Sequence, residues 1–161
     1  MAAATLAGTR SATTFPIGGP GPAYSVQAAW GTITVDASSE DGDIWQLCRV
    51  PGGATVIGGW VSAGDGDTGI EALDIDVGWA ANGVDAADPD GLGNLGVWTG
   101  DVEHGASSEV GNILMLGGVL SSVGPKTFTV ETLIQAETNT AAATGVAMEM
   151  TVVVLYLFNA T

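Results

Sequence analysis

The chain has 161 residues, enough for one domain, and 46% of them are apolar, which argues against a disordered protein. Its charge is one-sided, because three basic residues stand against eighteen acidic ones and give a formal net charge of -15. Since affinity for phosphate groups depends on Lys and Arg, this composition excludes a nucleic-acid groove and a contact with an anionic membrane surface.

The first 22 residues predict an extended arm, followed by a single folded domain at residues 23–161. The segment Phe15–Pro22 contains three prolines and three glycines, so it cannot be helical and offers few backbone donors to a sheet. A partner or a second subunit could hold this arm; the alternative is a free tail. The candidate contacts are its few apolar side chains: Leu6, Phe15 and Ile17.

The folded domain opens with a predicted strand. Alternate residues from Val26 to Trp30 share one face, and the pattern then slips by one position, so that Ile33 and Val35 continue it. Gly31 lies at the slip, which predicts a β-bulge there.

Two further strands are predicted at Ile44–Val50 and Ala54–Ala63, separated by a Pro-Gly-Gly turn. Cys48 is the only cysteine, so no disulfide can form within the chain. Its place inside an apolar strand predicts a buried small residue rather than a reactive thiol.

The clearest strand is Leu73–Trp79, where apolar residues alternate without an error with Asp74, Asp76 and Gly78. This period of two predicts one buried and one solvated face. A loop rich in Asp, Asn and Gly is predicted for residues 80–91. The following segment is ambiguous, since Glu109–Leu120 fits either a short helix or a strand.

The predicted end of the domain is a strand at Thr127–Gln135, a turn at Glu137–Thr144 and a long strand at Gly145–Phe158. The apolar run Val152–Phe158 is far shorter than the roughly 20 residues that span a bilayer, and predicts a strand buried on both faces. Seven or eight short strands without intervening helices predict an antiparallel β-sandwich or jelly roll. The predicted core includes Leu73, Ile75, Val77, Val152 and Val154.

No catalytic pattern is present, so we predict neither an enzyme nor a cofactor. His104 is the only histidine and lies in a polar segment, and one Cys with one His is too few for a zinc site. The segment that starts at Asp65 begins like a calcium loop but lacks its required glycine. A cluster of three aspartates is the remaining weak calcium candidate, the alternative being a solvated acidic turn: Asp85, Asp88 and Asp90.

Three stretches together resemble small virion proteins of tailed bacteriophages, of the kind encoded near the major capsid protein. The first is Asp43–Pro51 with the small-residue turn and Ala54–Ile57 after it, and the second is Leu73–Trp79 with its Asp/Asn/Gly loop. The last is a Thr/Ala turn before a Val-rich strand. These stretches cover most of residues 26–158.

The resemblance implies a capsid decoration or cement protein that lies on the outside of the virion capsid, contacts the major capsid protein and forms a trimer. It also implies that Leu6, Phe15 and Ile17 contact the capsid or a neighbouring subunit. Independently, five tryptophans exceed the about two or three that a sandwich of this size can bury, which predicts a homo-oligomer. Two alternatives stay open: a tail or head-fibre component, and a secreted module that binds calcium or carbohydrate.

Overall fold

Nine strands in two sheets are formed by the residues that a computed structural model describes, which are 4–8, 11, 25–70, 72–98 and 124–158. Within these ranges the chain has no helix, and so none with the length and apolarity needed to cross a membrane. The two sheets enclose one apolar core. The predicted all-β sandwich is therefore confirmed.

The strands are, in chain order, β1 (Thr5–Ala7), β2 (Val26–Val35), β3 (Ile44–Val50), β4 (Ala54–Ala63), β5 (Asp74–Trp79), β6 (Asp88–Gly93), β7 (Lys126–Thr127), β8 (Thr132–Thr140) and β9 (Met148–Phe158). One sheet has the order β1-β3-β8-β5-β6 and the other β2-β9-β4-β7. The pairing of β1 with β3 is parallel, and the other pairings of these strands are antiparallel. Most consecutive strands lie in opposite sheets, so the chain crosses repeatedly between them.

The core consists of alternate residues that both sheets turn inward. The core residues expected from the sequence are all buried: Leu73, Ile75, Val77, Val152 and Val154. Cys48 is buried as predicted. Three tryptophans complete the interior: Trp45, Trp79 and Trp98. Each fully buried Val, Leu or Ile side chain stabilises the fold by about 1.5–3 kcal/mol, so packing between the sheets is the main source of stability.

No bulge occurs at Gly31, where the sequence predicts one. The register of β2 against β9 runs without a break from Val26 to Val35. Gly31 instead faces inward, and a Cβ at this position would lie 1.9 Å from the carbonyl oxygen of Leu47 in β3. The glycine is thus required because the two sheets approach closely at this edge. Consequently Val26, Ala28 and Trp30, which alternate with the inward positions, face outward.

Strand β5 is buried on both faces rather than on one. Its inward side chains follow the prediction, but Asp76 on the outward face is only 6% exposed and Gly78 is also buried. The segment at Asp88 and Pro89, predicted as loop, starts β6 and crosses this face so closely that a Cβ at Gly78 would lie 1.9 Å from the Asp88 carbonyl oxygen. The prediction of a solvated face is therefore wrong.

The C-terminal strands differ from their predicted bounds. The single strand expected at Thr127–Gln135 is divided into β7 and β8, and Phe128 inserts into the core between them. Strand β8 continues to Thr140, which shortens the predicted turn. The run Val152–Phe158 alternates between buried and half-buried residues, so its predicted burial on both faces is wrong.

The structure adds a strand that the sequence does not predict, within the expected arm. Strand β1 lies along β3, and Ala4 donates its backbone N–H to the carboxylate of Asp43 at 2.5 Å. Farther along, Arg49 Nε donates to the carbonyl oxygen of Ser11 at 2.7 Å. Most of the rest of the arm lies outside the described residues. The division into an arm at 1–22 and a domain at 23–161 stays a prediction.

A buried carboxylate fastens the loop after β4 to the turn before β9. Asp67 accepts hydrogen bonds from the backbone N–H groups of Ala72 at 3.0 Å and of Ala143 and Thr144, both at 2.8 Å. Burial opposes ionisation of Asp67, but these backbone hydrogen bonds outweigh it and lower its pKa to about 2. Two loops are thereby held by one charged side chain.

Candidate assembly face

The outward face of the four-stranded sheet carries three rows of mostly apolar residues, which we call the apolar face. The strand register defines each row as one residue from β2, one from β9 and one from β4. The rows are Trp30, Val153 and Trp60; Ala28, Leu155 and Gly58; and Val26, Leu157 and Thr55.

Several side chains of the apolar face are well exposed. Val26 is 58% exposed and Trp30 is 45% exposed on β2, while Ile57, in the bulge of β4, is 37% exposed. Three strands at their usual spacing span ~14 Å and five residues along a strand span ~17 Å, so the face covers ~240 Å² before side-chain relief is counted. Soluble monomers carry apolar patches of about this size, and the largest such patch on a protein is often a functional surface.

The five tryptophans divide between the core and this face. Trp45, Trp79 and Trp98 are buried, whereas Trp30 and Trp60 point outward on either side of Val153. The prediction that the sandwich buries only some of its tryptophans is thus confirmed. The two outward indoles lie in one row, so their apolar area is combined on a single surface.

Among the described residues, charged groups border the apolar face but do not enter it. The next row toward the start of β9 is polar, and in it Thr32 and Thr151 share a hydrogen bond at 2.8 Å. Glu149 follows one row later. At the opposite sheet edge, Lys126 is turned toward the loop that carries Asp85 and forms an ion pair with it at 2.7 Å.

The outward face of the five-stranded sheet is acidic instead. It holds a pocket of about 250 Å³ lined by Asp76, Pro89, Asp90, Asn94, Glu137 and Asn139. Burial, together with the nearby charge of Asp74, raises the pKa of Asp76 to about 6, although the Leu95 N–H donates to its Oδ1 at 3.1 Å. Burial and the charge of Asp90 also raise the pKa of Glu137. The two sheet faces therefore differ sharply in chemistry.

The three calcium candidates are not gathered around one point. Asp85 is paired with Lys126 and accepts from Asn82 at 3.0 Å, and these hydrogen bonds lower its pKa. Asp88 instead faces Asp90, and burial and their mutual hydrogen bond raise the pKa of Asp88. Within the described ranges, no group of three or more His, Cys, Asp or Glu residues is placed to hold a metal ion. Calcium binding stays a prediction.

The predicted arm contacts are only partly described. Leu6 lies in β1 and is partly exposed, next to an open groove of about 340 Å³ between β1 and β2. Phe15 and Ile17 lie outside the described residues, as do His104 and the ambiguous segment Glu109–Leu120. Their roles stay predictions.

Comparison with known proteins supports the fold. The chain is similar in structure to a chain from the capsid of Ralstonia phage GP4, with a TM-score of 0.72 and 17% sequence identity over 98% of this chain and 100% of that one. It is also similar to a chain from the capsid asymmetric unit of cyanophage Pam1, with a TM-score of 0.58 and 18% identity over 94% and 99% of the two chains. No protein-family model and no curated protein matches the sequence.

Proposed function

We propose that this chain is a non-enzymatic structural protein of a phage virion, a cement or decoration protein that binds the outside of the capsid as a homotrimer and stabilises the shell. The observation that carries the proposal is the end-to-end structural similarity to a chain of a phage capsid, which leaves no part of that chain unmatched. Similarity to a second phage capsid chain supports it.

The surface chemistry also supports this role. An apolar face on a chain with net charge -15 suits a protein whose task is to form contacts, since the remaining surface discourages aggregation. Many copies on one particle tolerate weak single contacts, because linked sites act at high effective concentration. The proposed partner is the major capsid protein, and the proposed capsid contacts are Leu6, Phe15 and Ile17.

Binding to particles tests the proposal directly. Virions of the phage that encodes the chain would be stripped of it with mild denaturant and then incubated with the purified protein. We expect saturable rebinding at many copies per particle and recovery of the heat resistance of the shell. Absence of the chain from virions would contradict the proposal, and a few copies confined to tails would favour the fibre alternative.

A paired variant tests the arm contacts. The double substitution Phe15→Asp and Ile17→Asp should abolish rebinding to the shell, because each places a charge where an apolar contact is proposed. The control is Ile70→Asp, which adds one charge at a strongly exposed site outside the arm. Equal rebinding of the arm variant and the control would remove these residues from the proposed capsid contact.

A further inference from the structure

We infer that the apolar face is the surface through which copies of this chain contact one another. This inference rests on the proposed homo-oligomer and specifies its interface. The occupant is a second copy of the same chain, whose own apolar face meets the first.

Electrostatic repulsion restricts where two copies can meet. Each copy carries a net charge of -15, so contacts that bring carboxylates together are unfavourable. The three rows of the apolar face contain no ionisable side chain. On β9, Glu149 lies four residues from Val153, or ~14 Å along the strand, which exceeds the Debye length of about 8 Å at physiological salt.

The two halves of the face carry different side chains. On the β2 half, Val26 and Trp30 project into solvent. On the β4 half, Gly58 has no side chain and a Cβ added there would meet no atom within 4 Å, while the neighbouring Ile57 is 37% exposed. Because the two halves differ, the arrangement that we propose is a head-to-tail contact, in which the β2 half of one copy covers the β4 half of the next. Contacts of this kind form closed rings, such as trimers, when the rotation between neighbouring copies closes on itself.

The acidic pocket on the five-stranded sheet argues against a contact between copies through that side of the molecule. Asp76, Asp90 and Glu137 line it, so that side of the molecule repels a second copy. An oligomer built on the apolar face keeps this acidic pocket on its periphery, away from the neighbouring copies. Salt should therefore strengthen self-association, since it screens the repulsion and leaves the apolar contact intact.

Matched substitutions at two exposed valines test the inference. Val26→Lys changes the β2 half of the face, and Val84→Lys is the control, because Val84 is 65% exposed in the loop between β5 and β6. Both variants lower the net negative charge by one, so electrostatics alone would favour association equally. Sedimentation equilibrium over a concentration and salt series would give the dissociation constant of each.

We expect Val26→Lys to raise the dissociation constant at least about tenfold while Val84→Lys leaves it unchanged or slightly lower. Gly58→Lys should also raise the dissociation constant, because it places a charge on the β4 half of the face. Gly58 has open space around it, so this side chain can fit without disturbing the fold. Circular dichroism would confirm that each variant is folded. Quenching of tryptophan fluorescence by acrylamide gives a second readout, since Trp30 and Trp60 should be shielded on association whereas the three core indoles are already buried.

The outcomes separate this inference from the proposed function. An oligomer that survives both Val26→Lys and Gly58→Lys would overturn the assignment of the face and leave the virion role standing. A dimer that these substitutions dissociate would support the face and overturn the trimer. A wild-type chain that stays monomeric at high salt and high concentration would overturn both the face and the trimer.

Discussion

Replacing Asp76 with asparagine is expected to stabilise the protein at neutral pH and to have no effect near pH 3. Asp76 is on the outward face of β5, covered by the segment at Asp88, and opposite Glu137 of β8. Burial and the neighbouring carboxylates Asp74, Asp90 and Glu137 disfavour its charge, whereas the Leu95 N–H favours it. Asparagine keeps an oxygen that can accept from Leu95 and removes the charge.

The expected magnitude follows from linkage between proton binding and folding. The pKa of Asp76 is about 6 in the folded protein, against an ordinary value of 3.8. Between these values the folded chain holds a proton that the unfolded chain has lost, so stability falls as pH rises through this window and stays reduced above pH 6. The full shift corresponds to about 3 kcal/mol, and screening in the open pocket lowers the expected penalty to about 2 kcal/mol.

Urea unfolding at a series of pH values measures this penalty. The difference in the free energy of unfolding between D76N and wild type should be about 2 kcal/mol at pH 7.5, shrink between pH 6 and 4, and vanish near pH 3. The control is Asp36→Asn, which removes one exposed carboxylate at the end of β2 and so reports the general effect of lowering the net charge. A D76N variant that is no more stable than D36N at pH 7.5, or a difference that does not change with pH, would refute this account of the pocket.

Three further substitutions test the packing of the fold. Gly31→Ala should lower the free energy of unfolding by about 3 kcal/mol, because the new Cβ would overlap the Leu47 carbonyl oxygen. Gly58→Ala should leave the free energy of unfolding nearly unchanged in the same urea titration, because the new Cβ would lie in open space. Ile134→Val deletes one methylene from a fully buried site and should cost about 1 kcal/mol, measured in the same way. Asp67→Asn should lower the melting temperature at pH 7, because it removes the charged carboxylate that accepts hydrogen bonds from two loops. In the wild-type protein the stabilisation by this carboxylate should be lost as the pH falls from about 4 toward 2.

Local periodicity predicted several strands closely, because their residues follow the alternation that a half-buried strand requires. The bounds of β3 and β4 agree with Ile44–Val50 and Ala54–Ala63, and the inward residues of β5 are those predicted. The turns between these strands also carry the expected glycine, and Gly53 adopts a positive φ of 83°.

Contacts between distant segments account for the errors. The burial of Asp76 depends on a crossing by residues twelve or more positions later, which the alternation in β5 cannot reveal. The slip at Gly31 predicts a bulge only if every apolar residue of the strand faces the core. In fact Val26, Ala28 and Trp30 face outward and belong to the apolar face, whereas Ile33 and Val35 face the core from the opposite side of the same unbroken strand.

The candidate face itself could be predicted only in part. An excess of tryptophan and the run Val152–Phe158 indicated apolar surface beyond what one core can hold. They could not indicate that Trp30 and Trp60 fall in one row, because this depends on the pairing of β2 and β4 on either side of β9. Strand order is a property of the whole fold, and no local pattern encodes it.

A cryo-electron microscopy reconstruction of the virion that contains this chain tests the central claim most directly. The account predicts density for a two-sheet sandwich on the outer surface of the capsid, grouped in threes, with the four-stranded sheets turned toward one another and the acidic five-stranded sheets toward solvent. A shell without such density, or the sandwich found only in the tail, would contradict it.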